Sequence, residues 1–300
     1  MPELPEVESY RRLAAKAALG REITEVDAGD SWYLKGGTNA EDLGEALIGS
    51  WFVAARRRGK LLLLDTNSHT AGDKNSDSSG DRDSDAAGDK DSEMAGDTAG
   101  GDSDSAGEAT LGLRFGMSGR LVVDGSPGVD RLLYSPAGDG GGRWVRFSVR
   151  FADGGIMAMD DPRRLGGVEL NPDESGLGPD AMTVTVGQLK AALAGSAAPL
   201  KARLMDQARL AGVGNLIADE VLWRAGLSPQ RPAGGLSERE LRRLRSHLRS
   251  TIEGMIGAGS HTGRLMSARE VGGICPRDGT RLTRSTVGGR TSWWCPTHQH

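Results

Sequence analysis

The second residue is a proline, set between Met1 and Glu3. A small second residue favours removal of the initiator methionine, which would leave Pro2 with a free secondary α-amine. An α-amine has a pKa of about 8, against roughly 10.4 for lysine, so more of it is neutral and nucleophilic near pH 7. Condensed with an aldehyde, a secondary amine gives a cationic iminium that acts as an electron sink, and C1′ of an abasic sugar is such an aldehyde. Glu3 beside the amine can move protons during ring opening and elimination. Lys60 follows Arg56-Arg57-Arg58-Gly59, a basic hairpin tip suited to holding phosphate and assisting elimination. Two cysteines, Cys275 and Cys295, are each followed by proline. They could form one disulfide, but in a chain expected to be cytosolic metal ligation is the stronger reading.

These groups need a scaffold. Val7, Tyr10, Leu13, Ala14 and Ala17 recur at helical spacing, which predicts a helix over 6–19 ended by Gly20. Strand-like runs follow at 23–26, 51–55, 61–65, 110–115, 120–123, 144–151 and 155–159. So many short strands in one half predict a β-sandwich or barrel. Beyond a Pro/Gly-containing connection at 171–180 the pattern turns helical. Thr185 or Ser196 can start helices, and Pro199 suits a first turn. Leu200, Leu204 and Ala208 share a face, and AGVGN at 211–215 breaks that helix before another that runs to about Ala225. Ser237-x-x-Glu240 reads as a capping box, opening a helix with Leu241, Leu244, Leu248, Ile252 and Met255 as its apolar stripe.

Three hundred residues suffice for two compact domains without staples. No apolar run reaches membrane-spanning length, the longest candidate being the strand-sized Leu61–Leu64. An acidic N-terminus with no apolar signal core points to the cytoplasm. Residues 66–109 hold twelve acids against three bases, net −9, while the whole chain is at −4, so the remainder carries +5. That segment is Gly/Ser/Asp-rich with a loose repeat (AGDK at 71–74 and 87–90, AGDT at 95–98) and no aromatic residue. It cannot bury enough surface to offset chain entropy and is expected to be a disordered insertion at a hairpin turn. A modestly basic body around an acidic insertion is compatible with nucleic-acid binding.

The stretch MPELPEVESYRR resembles the N-terminal signature of the formamidopyrimidine-DNA glycosylase/endonuclease VIII family, and the resemblance continues in order along nearly the whole chain except the insertion. ARRRGKLLLL at 55–64 looks like the family's turn presenting a catalytic-site lysine, here Lys60. FGMSGRL at 115–121 matches the loop with an intercalating methionine, here Met117, and DPRRLG at 161–166 the loop that fills the vacated base site. LMDQARLAGVGNLIADEVLWRAG at 204–226 matches the helix-two-turn-helix DNA-binding motif. The resemblance implies Pro2 as nucleophile, Glu3 and Lys60 as catalytic partners, and Glu220 as a carboxylate set close to the amine. Met117 and Leu165 would be wedges, Arg163 would hydrogen-bond the orphaned base, and Arg164 would meet phosphate. Asn215, Lys201 and Arg290 match phosphate contacts. The family usually has phenylalanine where Leu165 stands and histidine where Arg114 stands, so the preferred lesion and opposite base stay open.

The family tail reads C-x2-C-x16-C-x2-C, and here the same spacing reads Cys275-x2-Asp278-x16-Cys295-x2-His298. Histidine is a good zinc ligand, whereas aspartate is a hard and uncommon one beside thiolates. The expected set is Cys275, Cys295, His298 and His261 around one Zn2+, with Asp278 as the alternative fourth ligand. Without zinc, Trp293, Trp294 and Leu282 would hold the hairpin. The expectation is thus an α+β protein: a catalytic β-sandwich with flanking helices over 1–170, a helix-two-turn-helix domain over 171–258, and a zinc-finger-like β-hairpin over 259–300. It is expected to be a monomer that acts on damaged double-stranded DNA as a glycosylase and abasic-site lyase, with oxidised purines favoured. The alternatives are an oxidised-pyrimidine glycosylase and a non-catalytic lesion binder.

Overall fold

The computed structural model describes residues 2–68, 109–129, 132, 142–258 and 262–300. The expected disorder of the acidic insertion falls outside the described residues, as does His261.

Helix α1 (Leu4–Ala17) begins two residues earlier than its apolar spacing predicts. Glu3 supplies the reason: its backbone amide donates to the Glu6 carboxylate at 2.7 Å, and Pro5, in the first turn, needs no amide partner there. Val7, Tyr10 and Ala14 of this helix enter one core, while Leu4 enters a second. The helix therefore straddles two packed units and sets Pro2 and Glu3 at their seam.

The first unit is a sandwich of two antiparallel sheets. One has the order β1 (Ile23–Asp27), β7 (Val145–Phe151), β8 (Ile156–Asp160), β5 (Arg120–Val123), β6 (Ser126–Pro127). The other runs β2 (Ser50–Arg58), β3 (Leu61–Ser68), β4 (Thr110–Arg114), β9 (Gly167–Leu170). Helix α2 (Ala40–Leu47), capped by Asn39, buries Leu43 and Leu47 against the same core. Leu61 pairs with Arg114 and Asp65 with Thr110. The insertion thus joins adjacent antiparallel strands, as expected of an elaborated hairpin turn. Thr66 closes its base: its Oγ1 donates to the Ala109 carbonyl at 2.9 Å and accepts the Ala109 amide at 3.1 Å.

The second unit is helical. Thr185 and Gln188 form a reciprocal cap on α3 (Val186–Leu193). Pro199 precedes α4 (Leu200–Leu204), and Gly226, in the left-handed region, ends α5 (Asn215–Ala225). Ser237 and Glu240 cap α6 (Glu238–Ala258), whose expected stripe is buried throughout. A third small cluster joins Trp223 to Leu265, Cys275, Leu282, Trp293 and Cys295, under the hairpin β10 (Thr283–Val287) and β11 (Arg290–Trp294). The architecture is α+β. No helix among the described residues is long and apolar enough to cross a membrane.

Candidate functional site

Pro2 is buried and lines a cavity of 290 Å³ with Lys60, Leu61, Arg114, Gly116 and Leu165 among its walls. A second cavity, of 340 Å³, runs from Lys60 past Gln207 and Asn215 to Arg290. A third, of 310 Å³, holds Glu3, Met117, Asn215 and Arg290 on its walls. Residues from positions 2, 60, 117, 215 and 290 thus converge on one set of adjoining hollows between the sandwich, the helical unit and the hairpin.

Glu3 is fixed by α5. Its Oε1 accepts the Leu216 amide at 2.8 Å and its Oε2 the Ile217 amide at 3.0 Å, so a carboxylate sits on the positive end of a helix. This explains Gly214 of the AGVGN segment: a Cβ there would lie 2.1 Å from the Glu3 carboxyl carbon. The Leu4 amide donates to the Gly212 carbonyl at 3.2 Å, fastening the start of α1 to the same turn.

The basic tip divides in a way the sequence does not announce. Arg56 pairs with Asp65 and Glu174, Arg57 with Glu8 and Asp180, and Arg58 donates to the Leu177 carbonyl. These arginines are structural, and Asp180, which also accepts the Gly59 amide at 2.7 Å, ties the tip to the helical unit. Lys60 is different: its ammonium makes no hydrogen bond or ion pair among the described residues. Burial pushes its pKa down, Glu3 and Glu6 oppose this, and Arg290 adds to it. A cation kept without a partner at the junction of two cavities is poised for an anion from outside. The Asn215 carboxamide oxygen is likewise buried without a partner.

The two loops expected to wedge DNA are knotted together by Asp161. Its Oδ1 accepts the Ser118 hydroxyl at 2.5 Å and the Arg163 amide at 3.2 Å; its Oδ2 accepts the Gly166 amide at 2.8 Å and the Tyr33 hydroxyl at 3.3 Å. Burial, and then the Asp161 charge, push the Tyr33 phenol well up, so it stays a donor. At Gly116, φ is +54° and a Cβ would meet the Leu165 carbonyl carbon at 2.3 Å, so the loops touch backbone to backbone. Arg163 reaches the Met117 sulfur at 4.0 Å, and Leu165 is 55% exposed. Arg164 is held by Asp30, with Nε to Oδ2 at 2.8 Å, so a phosphate would have to compete with that carboxylate. Arg114 pairs with Glu169.

Two expected site residues are engaged within the protein. Glu220 is fully buried, accepts the Arg264 and Leu265 amides at 3.0 and 2.8 Å, and pairs with Arg224. Lys201 is 0% exposed, lies 2.7 Å from Asp219 and donates to the Thr291 carbonyl at 2.9 Å. Burial pushes its pKa down and Asp219 opposes this. Both residues fasten neighbouring segments, and a helix-facing position alone could not tell that role from a ligand contact. Asp161, Asp180 and Asp219 escaped the sequence reading for the same reason. Asp161 alone carried a signal, as the first residue of DPRRLG.

At the base of the hairpin, ligand atoms of Cys275, Asp278, Cys295 and His298 all lie within 4.8 Å of one another, a group that could hold a metal ion. Asp278 thus joins the set. His298 Nε2 lies 3.2 Å from the Trp223 carbonyl, so a proton on Nε2 would leave the Nδ1 lone pair facing Asp278 Oδ2 at 2.9 Å and the Cys275 sulfur at 3.7 Å. The Trp223 indole and the Arg277 amide donate to the Cys275 sulfur at 3.3 and 3.4 Å.

Residues 1–168 match the model of the formamidopyrimidine-DNA glycosylase N-terminal domain, and residues 176–267 match that of the formamidopyrimidine-DNA glycosylase H2TH domain. The chain is 31% identical to the formamidopyrimidine-DNA glycosylase of Paracoccus denitrificans, over 99% of both chains. It is 28% identical to that of Arabidopsis thaliana, over 99% of this chain and 70% of the other. Among solved structures, the Lactococcus lactis Fpg with abasic-site DNA matches over 100% of both chains, with TM-score 0.72 and 22% identity. The same protein with oxidised-pyrimidine DNA gives 0.73 at 23% identity. At that identity these two structures speak to the fold. On the domain models and near-full-length relatives, the chain belongs to the formamidopyrimidine-DNA glycosylase family, DNA glycosylases of base excision repair.

Proposed function

We propose that this chain excises oxidised bases, oxidised purines foremost, and then cleaves the abasic strand through its N-terminal amine. The observation that carries the reading is the placement of Pro2 and Glu3 at the seam, beside an ammonium, Lys60, that makes no hydrogen bond or ion pair among the described residues. Once Met1 is removed, the Pro2 nitrogen attacks C1′ of the damaged nucleotide, the base departs with its bonding electrons, and the sugar ring opens to an iminium. Loss of a proton from C2′ then expels the 3′ phosphate, and a second elimination expels the 5′ phosphate. Glu3 is positioned to exchange protons with the sugar, and Lys60 and Asn215 to hold the phosphate beside the lesion. Arg290 faces the same hollow and would take a phosphate oxygen.

Double-stranded DNA is the partner, bound by one copy of the chain. Base extrusion costs a few kcal/mol of stacking, which Met117, Leu165 and Arg163 would offset by filling the gap and meeting the orphaned base. Arg164, engaged by Asp30, would steady this loop until a phosphate displaces that carboxylate. One Zn2+ fits Cys275, Cys295, His298 and Asp278, with Asp278 the weakest donor; it would cross-link the hairpin and take no part in the chemistry. Relative excision rates on duplexes with 8-oxoguanine, a formamidopyrimidine or an oxidised pyrimidine test the substrate class. Faster release of the purine lesions is expected; a preference for the pyrimidine would overturn that assignment.

A further inference from the structure

Asp219 and Glu220 are consecutive buried acids in the middle of α5. Glu220 is committed to the segment leading into the hairpin, and Asp219 is committed to the hairpin itself. Asp219 Oδ1 accepts the Ser292 hydroxyl at 2.9 Å and lies 2.7 Å from Lys201 Nζ. Its Oδ2 accepts the Trp293 amide at 3.2 Å and the Arg269 guanidinium at 2.8 Å. Lys201 donates onward to the Thr291 carbonyl at 2.9 Å. Thr291, Ser292 and Trp293 are the three residues that follow Arg290 on β11. The carboxylate is 1% exposed, and its two cationic partners are 0% and 8% exposed. A buried polar network with every member engaged fixes one geometry, because any shift leaves a charge or donor unpaired in low dielectric. The candidate metal group lies beyond the other end of the strand: Cys295 comes five residues after Arg290, about 16 Å along an extended chain.

We infer that Asp219 is a positioning residue: by gripping Ser292 and Trp293 directly and Thr291 through Lys201, it holds Arg290 toward the DNA phosphate independently of the metal group. The inference rests on the reading of Arg290 as a phosphate contact.

A double-mutant cycle on the full chain tests it, with a duplex carrying a tetrahydrofuran abasic analogue as the probe. Arg290→Ala is expected to weaken binding about tenfold, the scale of a charged hydrogen bond. Asp219→Asn should weaken binding similarly, and Arg290→Ala should then cost less than about twofold in its background. Borohydride trapping on a separate duplex with a true abasic site, which unlike the tetrahydrofuran analogue offers an aldehyde, should change far less than affinity in Asp219→Asn when that DNA is saturating. Ser292→Ala removes one bond and leaves the charges paired, so it gives a smaller version of the cycle should Asp219→Asn fail to fold. The coupling should survive treatment with a metal chelator. Additive losses, with Arg290→Ala effective alone, would overturn the role of Asp219. Coupling lost on chelation would overturn its independence from the metal. An Arg290→Ala variant that binds normally would instead strike the phosphate reading and the inference with it.

Discussion

Gly214→Ala tests the arrangement around Glu3 with one methyl group. Gly214 has φ −117° and ψ −167°, an extended conformation open to alanine, so the substitution adds no backbone strain. Its Cβ would fall 2.1 Å from the Glu3 carboxyl carbon. Ordinary contact begins near 3.4 Å, so the carboxylate must retreat by about 1.3 Å. At that displacement the bonds from Leu216 and Ile217, now 2.8 and 3.0 Å, cannot both survive. A hydrogen bond to a charged group contributes about 1.5–3 kcal/mol. Losing both outright would cost about 3–6 kcal/mol; with water in the adjoining cavity restoring about half, about 1.5–3 kcal/mol remains. Urea unfolding reads that loss, and single-turnover cleavage of abasic DNA should slow in parallel. The control is Glu3→Ala, in whose background Gly214→Ala should cost under about 1 kcal/mol, since the clash is gone. A Gly214→Ala protein of unchanged stability and cleavage rate, or equal penalties in both backgrounds, would refute the account of how α5 holds Glu3.

Other outcomes follow from the same geometry. Lys60→Met should lower the salt slope of DNA binding by about one phosphate contact while the free protein keeps or raises its Tm, because no hydrogen bond or ion pair of that ammonium is lost; a lower Tm with an unchanged slope would contradict this. Arg231, and then Ser237, hold the Glu240 carboxyl down at about 2 against an ordinary 4.5. A carboxyl depressed in the folded state contributes stability above its unfolded value and loses it as pH falls through the folded one. Glu240→Gln should therefore cost about 1 kcal/mol at pH 7 and progressively less from pH 4.5 toward 2, read by denaturant unfolding across that range; a pH-independent penalty would refute the pairing. Metal analysis should find one zinc per chain, lost in His298→Ala with a lower Tm; protein purified without metal yet equally stable would exclude it.

Much of the scaffold is legible in the sequence because its signals are local. Ser237 and Glu240, Gly226, and the stripe from Leu241 to Met255 each specify their element within a turn or two. The strands around Leu61–Leu64 and Arg120–Val123 announce themselves by run and alternation. Helix α2 and strand β9 are less legible: GEAL is too short a periodic pattern, and GVEL becomes a strand only because β4 offers Arg114 and Leu111 as its neighbours. At the site, Pro2, Glu3, Lys60, Met117, Asn215 and Arg290, all in distinctive motifs, line adjoining hollows. What a single sequence cannot convey is who neutralises whom. Arg56, Arg57 and Lys60 look alike in ARRRGK, but partners at positions 8, 65, 174 and 180 occupy the arginines and leave the lysine. The partners of Lys201 and Glu220 are hidden for the same reason, since Asp219, Thr291, Arg264 and Leu265 engage them from elsewhere in the chain.

The central claim is that the amine of Pro2 performs the chemistry. Borohydride reduction during turnover of abasic duplex should link protein to DNA, and mass spectrometry of the proteolysed adduct should place the link on an N-terminal peptide beginning at Pro2. Pro2→Gly should trap far less, although its DNA affinity is kept. A link mapped to Lys60 or elsewhere, or undiminished strand cleavage by Pro2→Gly, would contradict the account.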